Sequence, residues 1–236
     1  MKFTMTKVLL AVLAFIISIN QKVIAQSYCT PTYTEGCGVD DGISGFIING
    51  TTLSTGSGCS ISSYQFYSAV SASVSAGETY SFTIDFINLV NDEYVSIWID
   101  ANKDGVFSAN ELVTQTISPV TKPYIGNVPI PANAIGTVRM RIRVRFEDLA
   151  DDPCATYTWG ETEDYLLNVS CPVSQIITQA QSGTNTVYAS NSITASNTIN
   201  SAANVTYSAG ASITIQPGFF ADSGSVFLGK ITGCPN

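Results

Sequence analysis

The stretch DANKDGVFSANE, residues 100–111, places oxygen-bearing side chains at the spacing of a calcium-binding loop. The pattern D-x-[DN]-x-[DN]-G-x₅-E is satisfied at every defined position, with Gly105 at the sharp turn. The expected ligands are Asp100, Asn102, Asp104, the backbone carbonyl of Val106, Ser108 through a water, and Glu111. Calcium takes about six to eight oxygens, whereas magnesium demands a tighter octahedron. The sequence therefore predicts a calcium site, and the alternative is an Asp/Asn/Gly turn without metal.

The segment YVSIWI before this loop is typical of a β-strand, not of the helix that precedes the loop in an EF-hand. The loop geometry belongs to its own backbone, and flanking helices are needed only where binding must open a groove. The predicted calcium therefore stiffens a structure and does not signal.

Catalytic chemistry finds little support in the residue types. The chain has no histidine, which excludes serine and cysteine triads and His-ligated zinc. Two acidic segments, EDLADDPC and GETEDY, offer carboxylate pairs for glycoside hydrolysis, but solvated acidic loops supply such pairs commonly. We expect no enzyme. Tyr157 and Trp159 are candidates for a sugar-stacking platform, and Trp98 is predicted to lie in the core.

The segment RMRIRVRF predicts a strand with arginines on one face and apolar residues on the other. The arginines are Arg139, Arg141, Arg143 and Arg145. Glu161 and Glu163 share a face of the following segment, so an antiparallel pairing would set exposed carboxylates opposite guanidiniums. The functional alternative is an arginine ladder that binds an acidic polysaccharide.

The cysteines and the N-terminus indicate export. Lys2 and Lys7 precede an apolar run, and Val23 and Ala25 suit a cleavage site, so residues 1–25 are predicted to be a signal peptide. The run of twelve residues from Val8 to Ile19 is too short for a bilayer span, which needs about 20, so no membrane insertion is expected. The protein should be secreted or held at the cell surface.

Six cysteines follow the signal peptide, and we expect all six to form structural disulfides. They are Cys29, Cys37, Cys59, Cys154, Cys171 and Cys234. Six cysteines allow 15 pairings, and the spacing suggests Cys29–Cys37, Cys59–Cys154 and Cys171–Cys234.

Removal of the three signal-peptide lysines lowers the formal net charge from −8 to −11. An acidic exported protein is unsuited to nucleic acid or anionic lipid and suited to cations.

The chain divides into two regions of all-β character. Residues 26–171 contain strand-like runs separated by turn signals, which predict an antiparallel β-sandwich of jelly-roll or immunoglobulin-like type. Residues 172–236 carry aliphatic residues every six positions, at Val187, Ile193, Ile199 and Val205, which favours a small β-solenoid over a low-complexity tail.

The motifs of the two regions resemble known bacterial extracellular modules. YCTPTYTEGC, VSIWIDANKDGVF, GTVRMRIRVRF and GETEDYLLNV resemble a GEVED domain, with Thr162 in place of the usual valine. VTYSAGASITIQPGFFADSGSVF resembles a three-coathanger stack domain. The resemblance implies a secreted or surface protein without an established catalytic role.

These observations predict a non-catalytic, calcium-stabilised binding or adhesion module whose partner is a surface glycan or a surface protein. The alternatives are a carboxylate-based glycan hydrolase and a purely structural spacer.

Overall fold

The computed structural model describes residues 28–38, 41–88 and 92–235. The predicted signal peptide lies outside the described residues. Among those residues, regular structure consists of strands and a single 3₁₀ turn, Ala109–Glu111. No helix in the described part is long and apolar enough to cross a membrane.

The first region is a sandwich of two sheets. Its strands are β1 (Tyr33–Gly36), β2 (Ile43–Ile48), β3 (Ser54–Gly56), β4 (Tyr64–Ser75), β5 (Thr79–Phe86), β6 (Glu93–Ile99), β7 (Leu112–Gln115), β8 (Tyr124–Pro129), β9 (Gly136–Phe146) and β10 (Tyr157–Ser170). One sheet has the order β1-β10-β9-β6-β7, with β4 also paired to β10, and the other has the order β3-β2-β5-β8. The predicted all-β sandwich is confirmed, although β10 pairs in parallel with both β1 and β4.

Alternation along the strands builds the core between the two sheets. On β9, Val138, Met140, Ile142 and Val144 are buried against aliphatic and aromatic residues of the facing sheet. Each such side chain contributes roughly 1.5–3 kcal/mol through its removal from water. The arginines of β9 consequently point to the opposite face of the same sheet.

The second region is a coil of parallel strands. Its strands are β11 (Ser174–Ile177), β12 (Thr184–Ala189), β13 (Ser192–Ala195), β14 (Thr198–Ile199), β15 (Asn204–Ala209), β16 (Ser212–Ile215), β17 (Phe220–Ala221) and β18 (Val226–Lys230). They form three parallel sheets, β11-β13-β16, β12-β15-β18 and β14-β17. Ser174 pairs with Ser192 and Ser192 with Ser212, so the two successive turns take 18 and 20 residues.

The six-residue spacing marks the sides of this coil and not its turns. Val187, Ile193, Ile199 and Val205 lie on β12, β13, β14 and β15 in succession, and all four are buried in one core. Each stretch of six residues therefore moves the chain from one side of the coil to the next.

Three disulfides are formed, and two of the three suggested pairings are wrong. Cys29 pairs with Cys154, and Cys37 pairs with Cys59. The local pair Cys29–Cys37 fails because β1 runs between these residues beside β10 and carries them apart. Cys171–Cys234 is confirmed. The disulfides fit an exported protein.

The two regions pack against each other. Tyr188 of the coil lies against the sandwich core, and Ala132 of the sandwich lies against the coil core. The Gln175 side chain donates a hydrogen bond to the carbonyl of Ala76 at 3.3 Å. Because the two regions are in contact, a groove lined by residues of both regions can be described as one surface.

Candidate functional site

The predicted calcium loop leaves the end of β6 and returns through the 3₁₀ turn to β7. Its first and last acids are enclosed, since Asp100 is 0% exposed and Glu111 is also buried. Asn102 and Asp104 lie on the exposed part of the loop. The loop is thus anchored at both ends and open in the middle.

Backbone N–H groups of the loop turn inward to its acidic side chains. The Asp100 carboxylate accepts from the N–H of Asp104 at 3.3 Å and of Gly105 at 3.1 Å. Asn102 Oδ1 accepts from the N–H of Asp104, and Asp104 Oδ1 accepts from the N–H of Val106, both at 2.9 Å. This curl is possible because the backbone is left-handed at two places, with φ of 60° at Lys103 and 80° at Gly105.

Glu111 closes the loop because its two carboxylate oxygens bind residues near the beginning and near the end of the loop. Glu111 Oε1 accepts from the N–H of Ala101 at 3.1 Å. Glu111 Oε2 accepts from the N–H and the hydroxyl of Ser108 at 2.9 and 3.0 Å. The glutamate therefore already holds the chain in a closed conformation through its own hydrogen bonds.

The donor set suits a hard cation by its chemistry, because every predicted ligand is an oxygen. An ionised carboxylate has about four lone-pair sites, so the hydrogen bonds made by Asp100 and Glu111 leave acceptor capacity. No group of three or more His, Cys, Asp or Glu side chains in the described ranges is arranged to hold a metal. Asn102 Nδ2 also donates to Asp104 Oδ2 at 2.9 Å. Calcium binding stays a prediction.

Tyr28 links the loop to the segment before β1. Its hydroxyl donates to Asp100 Oδ2, and its ring lies 5.1 Å from the ring of Phe107. Burial and then the hydrogen bond to Asp100 raise the pKa of Tyr28, so the tyrosine stays protonated and keeps donating. The position of the loop is therefore coupled to the N-terminal end of the sandwich.

The arginine face of β9 is covered, contrary to the predicted exposed pairing. Arg141 and Arg143 are 0% exposed. In the antiparallel register, Thr162 lies opposite Arg143 and Asp164 opposite Arg141. Glu161 and Glu163 lie opposite Val144 and Ile142 instead, on the apolar face. The prediction placed the acids one residue out of register, and such a shift exchanges the two faces of a strand.

The buried arginines fasten two segments to the sheet. Arg141 forms a bidentate ion pair with Asp164 at 2.7 and 2.8 Å and donates to the carbonyls of Cys29 and Pro153. Arg143 donates to Thr162 Oγ1 at 3.0 Å and to the carbonyls of Asp152 and Ala155. With their donors engaged inside the protein, these arginines do not form a surface ladder for a polysaccharide.

The glutamates of the GETED segment, residues 160–164, work on the inner face. Glu161 accepts from the backbone N–H of Ile43 and of Ser60, both at 2.8 Å. Glu163 accepts from the hydroxyls of Tyr165 at 2.5 Å and Tyr67 at 3.3 Å. Burial raises the pKa of both carboxyls, to about 7 for Glu163. Glu161 thus joins β10 to β2 of the facing sheet, whereas Glu163 binds tyrosines of β4 and β10 in its own sheet.

Glycine is required at the first position of that segment. A Cβ on Gly160 would lie 2.1 Å from the carbonyl oxygen of Val144, and the backbone φ there is 127°. Both the close approach and the dihedral exclude a side chain without rearrangement. The GETED segment thus contacts β2 on one face of its sheet and the arginines of β9 on the other.

One buried acid escaped the sequence analysis. Glu93, at the start of β6, is 1% exposed. Burial and then the neighbouring carboxyl of Asp41 raise its pKa to about 8. The alternation of side chains along β6 could have predicted the burial of Glu93, because Glu93 shares its face with the buried Val95, Ile97 and Ile99.

The two aromatic candidates for sugar stacking differ in accessibility. Tyr157 is 8% exposed, and its ring lies between the guanidiniums of Arg143 at 4.1 Å and Arg145 at 4.2 Å. Its ring is therefore not free to stack on a sugar. Trp159 is half-buried beside Gly38. Trp98 is buried as expected, on the arginine face of the sheet.

The acids proposed for a hydrolase are also separated by their environments. Glu161, Glu163 and Asp164 are enclosed inside the sandwich. Asp148 and Asp151 lie on an exposed loop, where they form ion pairs with Arg145. The carboxyls of these two segments therefore lie in different environments, one set enclosed and the other exposed.

Comparison with known proteins identifies one part of the chain. Residues 94–168 match the family model of the GEVED domain, an extracellular-type β-domain. The match covers the 100–111 loop, β9 and most of β10. No curated protein and no solved structure matches the chain.

Proposed function

We propose that this protein is an exported, non-catalytic binding or adhesion module of the cell surface or extracellular space, stabilised by calcium in the 100–111 loop. The GEVED match and the three disulfides support an extracellular setting. Residues 172–236 would form a three-coathanger stack domain, a proposal supported by the three-sided parallel coil. Its partner is a surface glycan or a surface protein.

The observation that carries the calcium proposal is the enclosure of two carboxylates at the ends of one loop. Asp100 and Glu111 are buried and accept hydrogen bonds only from neutral N–H and O–H donors among the described residues. Burying an ionised carboxylate is costly unless a cation or strong donors compensate for it. A divalent ion held by these oxygens would supply that compensation and fix β6 to β7.

Thermal unfolding with and without calcium tests this proposal. Extracellular calcium modules bind with Kd of about 10⁻⁴–10⁻³ M, which at about 1 mM calcium gives on the order of 0.4–1.4 kcal/mol of stabilisation. We expect Tm to rise by about 1–5 °C when EDTA is replaced by calcium. Glu111→Gln, which preserves the shape of the side chain, should abolish most of this rise.

Glu78→Gln is the matched control, because Glu78 is an exposed acid away from the loop. This variant should keep the full calcium response. An equal response in Glu111→Gln, and in the double variant Asp100→Ala with Asp104→Ala, would place the ion elsewhere and refute the proposed site.

A further inference from the structure

A polar groove runs between the 100–111 loop and the outer face of the sheet β12-β15-β18. It consists of two adjoining cavities of about 300 and about 350 Å³, which share Thr186, Tyr188 and Pro235. Lys103 of the loop lines one end, and Lys230 of β18 lines the other. We infer that this groove binds an acidic polysaccharide, with its carboxylates on the lysines and a sugar ring against Tyr188.

The coil itself positions the lining residues. Val187 and Ala189 of β12 point into the coil core, so Thr186 and Tyr188 point outward. The parallel register sets Thr206 of β15 beside Thr186. In a second row across the same sheet, Tyr188 of β12 and Lys230 of β18 pair with the same residue of β15. The outer face is therefore a regular array of hydroxyls with one aromatic ring and one terminal cation.

Several polar groups of the groove have no partner within the described chain. The side chains of Thr184, Thr186, Thr206 and Asn133 and the Tyr188 hydroxyl form no hydrogen bond with another described residue. Sugars present donors and acceptors of the same kind at close intervals. A ligand site with several convergent polar groups around an aromatic side chain is the usual form of a small-molecule or oligosaccharide pocket.

The groove also concentrates the available positive charge. Seven basic residues follow residue 25, in a chain whose formal net charge is −8. The four arginines lie on the covered face of β9, and Lys122 forms an ion pair with Asp85 at 3.5 Å. The Lys230 ammonium is exposed and has no ion pair or hydrogen bond among the described residues, and the Lys103 ammonium donates only to the carbonyl of Ile135. Both lysines without a carboxylate partner therefore line this one groove.

The residues that line the groove favour an acidic carbohydrate over an acidic protein as its ligand. Protein partners usually insert aromatic or aliphatic anchors into an apolar centre that excludes water. The centre of this groove instead holds threonine hydroxyls around a single tyrosine. Tyrosine offers an apolar ring together with a polar end, which suits the mixed surface of a sugar.

Calcium should strengthen this binding, and this step rests on the proposed function. The loop carries Asp100, Asp104 and Glu111 close to Lys103. Without a cation these three carboxylates repel an anion in the adjacent groove. The two positive charges of bound calcium would offset two of the three negative charges. The groove and the loop would then act as one calcium-dependent site.

Calorimetric titration of the mature protein with a hyaluronan hexasaccharide tests the inference. Chitin hexasaccharide is the matched neutral probe, since it has acetamido sugars without carboxylates, and a polyglutamate peptide carries carboxylates without sugar hydroxyls. We expect the hyaluronan probe to bind at least about tenfold more tightly than either comparator in 1 mM calcium, and to weaken with added salt. Comparable binding of the neutral or the peptide probe, or no binding of hyaluronan, would overturn the inference.

Variants locate the binding in the groove. Lys230→Gln should weaken binding about two- to fivefold, the upper part of the range for one exposed ion pair. Thr186→Val, which replaces a hydroxyl by a methyl at nearly constant shape, should weaken it by a similar factor. Lys122→Gln is the control and should bind like the unchanged protein. Equal affinity of all four proteins would refute the groove as the site.

The same samples separate this inference from the proposed function. EDTA should lower the hyaluronan affinity by about tenfold and remove the calcium-dependent rise in Tm. A Tm rise with no hyaluronan binding refutes the groove and leaves the calcium loop standing. Hyaluronan binding without any Tm rise refutes the calcium loop and leaves the groove standing.

Discussion

At the scale of single residues, the ion pair between Arg141 and Asp164 is the interaction whose loss should cost most. Both side chains are fully enclosed and joined by two short hydrogen bonds. A pair in this position is not in itself a large source of stability, because both charges had to leave water. Its disruption is nevertheless expensive, since the remaining charge stays buried without its partner.

Asp164→Asn should therefore destabilise the sandwich by about 3–5 kcal/mol, measured by the urea midpoint of unfolding. Asp148→Asn is the matched control, because Asp148 pairs with Arg145 at 2.9 Å on the exposed surface. That change should cost less than about 1 kcal/mol. Equal losses in the two variants would contradict the enclosure of the Arg141 pair.

At the scale of elements, β10 is organised by its two faces, which serve different neighbours. Its inner face holds Glu161 and Glu163, and its outer face holds Thr162 and Asp164 against the arginines of β9. Gly160 permits β10 to approach β9 closely enough for both sets of contacts. The contacts on both faces of the strand therefore depend on that glycine.

Gly160→Ala should destabilise the protein by more than about 2 kcal/mol, because it adds backbone overlap to an unfavourable φ. Gly183→Ala is the comparison without overlap, since its φ of 68° lies in the left-handed region that side chains can adopt and no atom lies within 4 Å of the added Cβ. Its cost should be near 1 kcal/mol. Similar denaturant midpoints for the two variants would show that the contact with Val144 is easily relieved.

The strands themselves could be predicted from the sequence, but the environment of each face could not. Alternation assigned the arginines and the aliphatic residues of β9 to opposite faces, as found. Whether the arginine face meets water depends on the segment around Cys29 and on residues 152–155, which come from distant parts of the chain.

The predicted pairing of Cys29 with Cys37 failed for the same reason, because each cysteine is placed by long-range strand pairing. In the 100–111 loop, by contrast, Asp100 and Glu111 each accept a hydrogen bond from the loop's own backbone, and calcium binding there stays a prediction.

At the scale of the whole molecule, buried carboxyls determine how stability varies with pH. The pKa of Glu93 is raised to about 8 and that of Glu163 to about 7, first by burial in both cases. Unfolded glutamate titrates near pH 4.3, so the folded state binds more protons between that pH and the raised values. Stability must therefore fall as pH rises through this window, and each unit of pKa difference corresponds to roughly 1.4 kcal/mol.

Urea unfolding at pH 5, 7 and 9 should give midpoints that decrease in that order, with the fall ending above about pH 8. Glu93→Gln keeps the shape of the acid without its charge and should flatten the curve between pH 7 and 9. Glu35→Gln, at an exposed position of β1, should leave the curve unchanged. A midpoint that rises steadily from pH 5 to 9 would contradict the raised pKa values of these buried carboxyls.

The disulfide between Cys171 and Cys234 gives the molecule a mechanical property. The bond joins the residue after β10 to a residue that follows β18, the last strand of the parallel coil. A pulling force that enters beyond Cys234 passes directly through the sulfur atoms to the sandwich and bypasses residues 172–233. For a protein that holds a ligand under flow, the coil would thus keep its shape while the covalent link carries the tension.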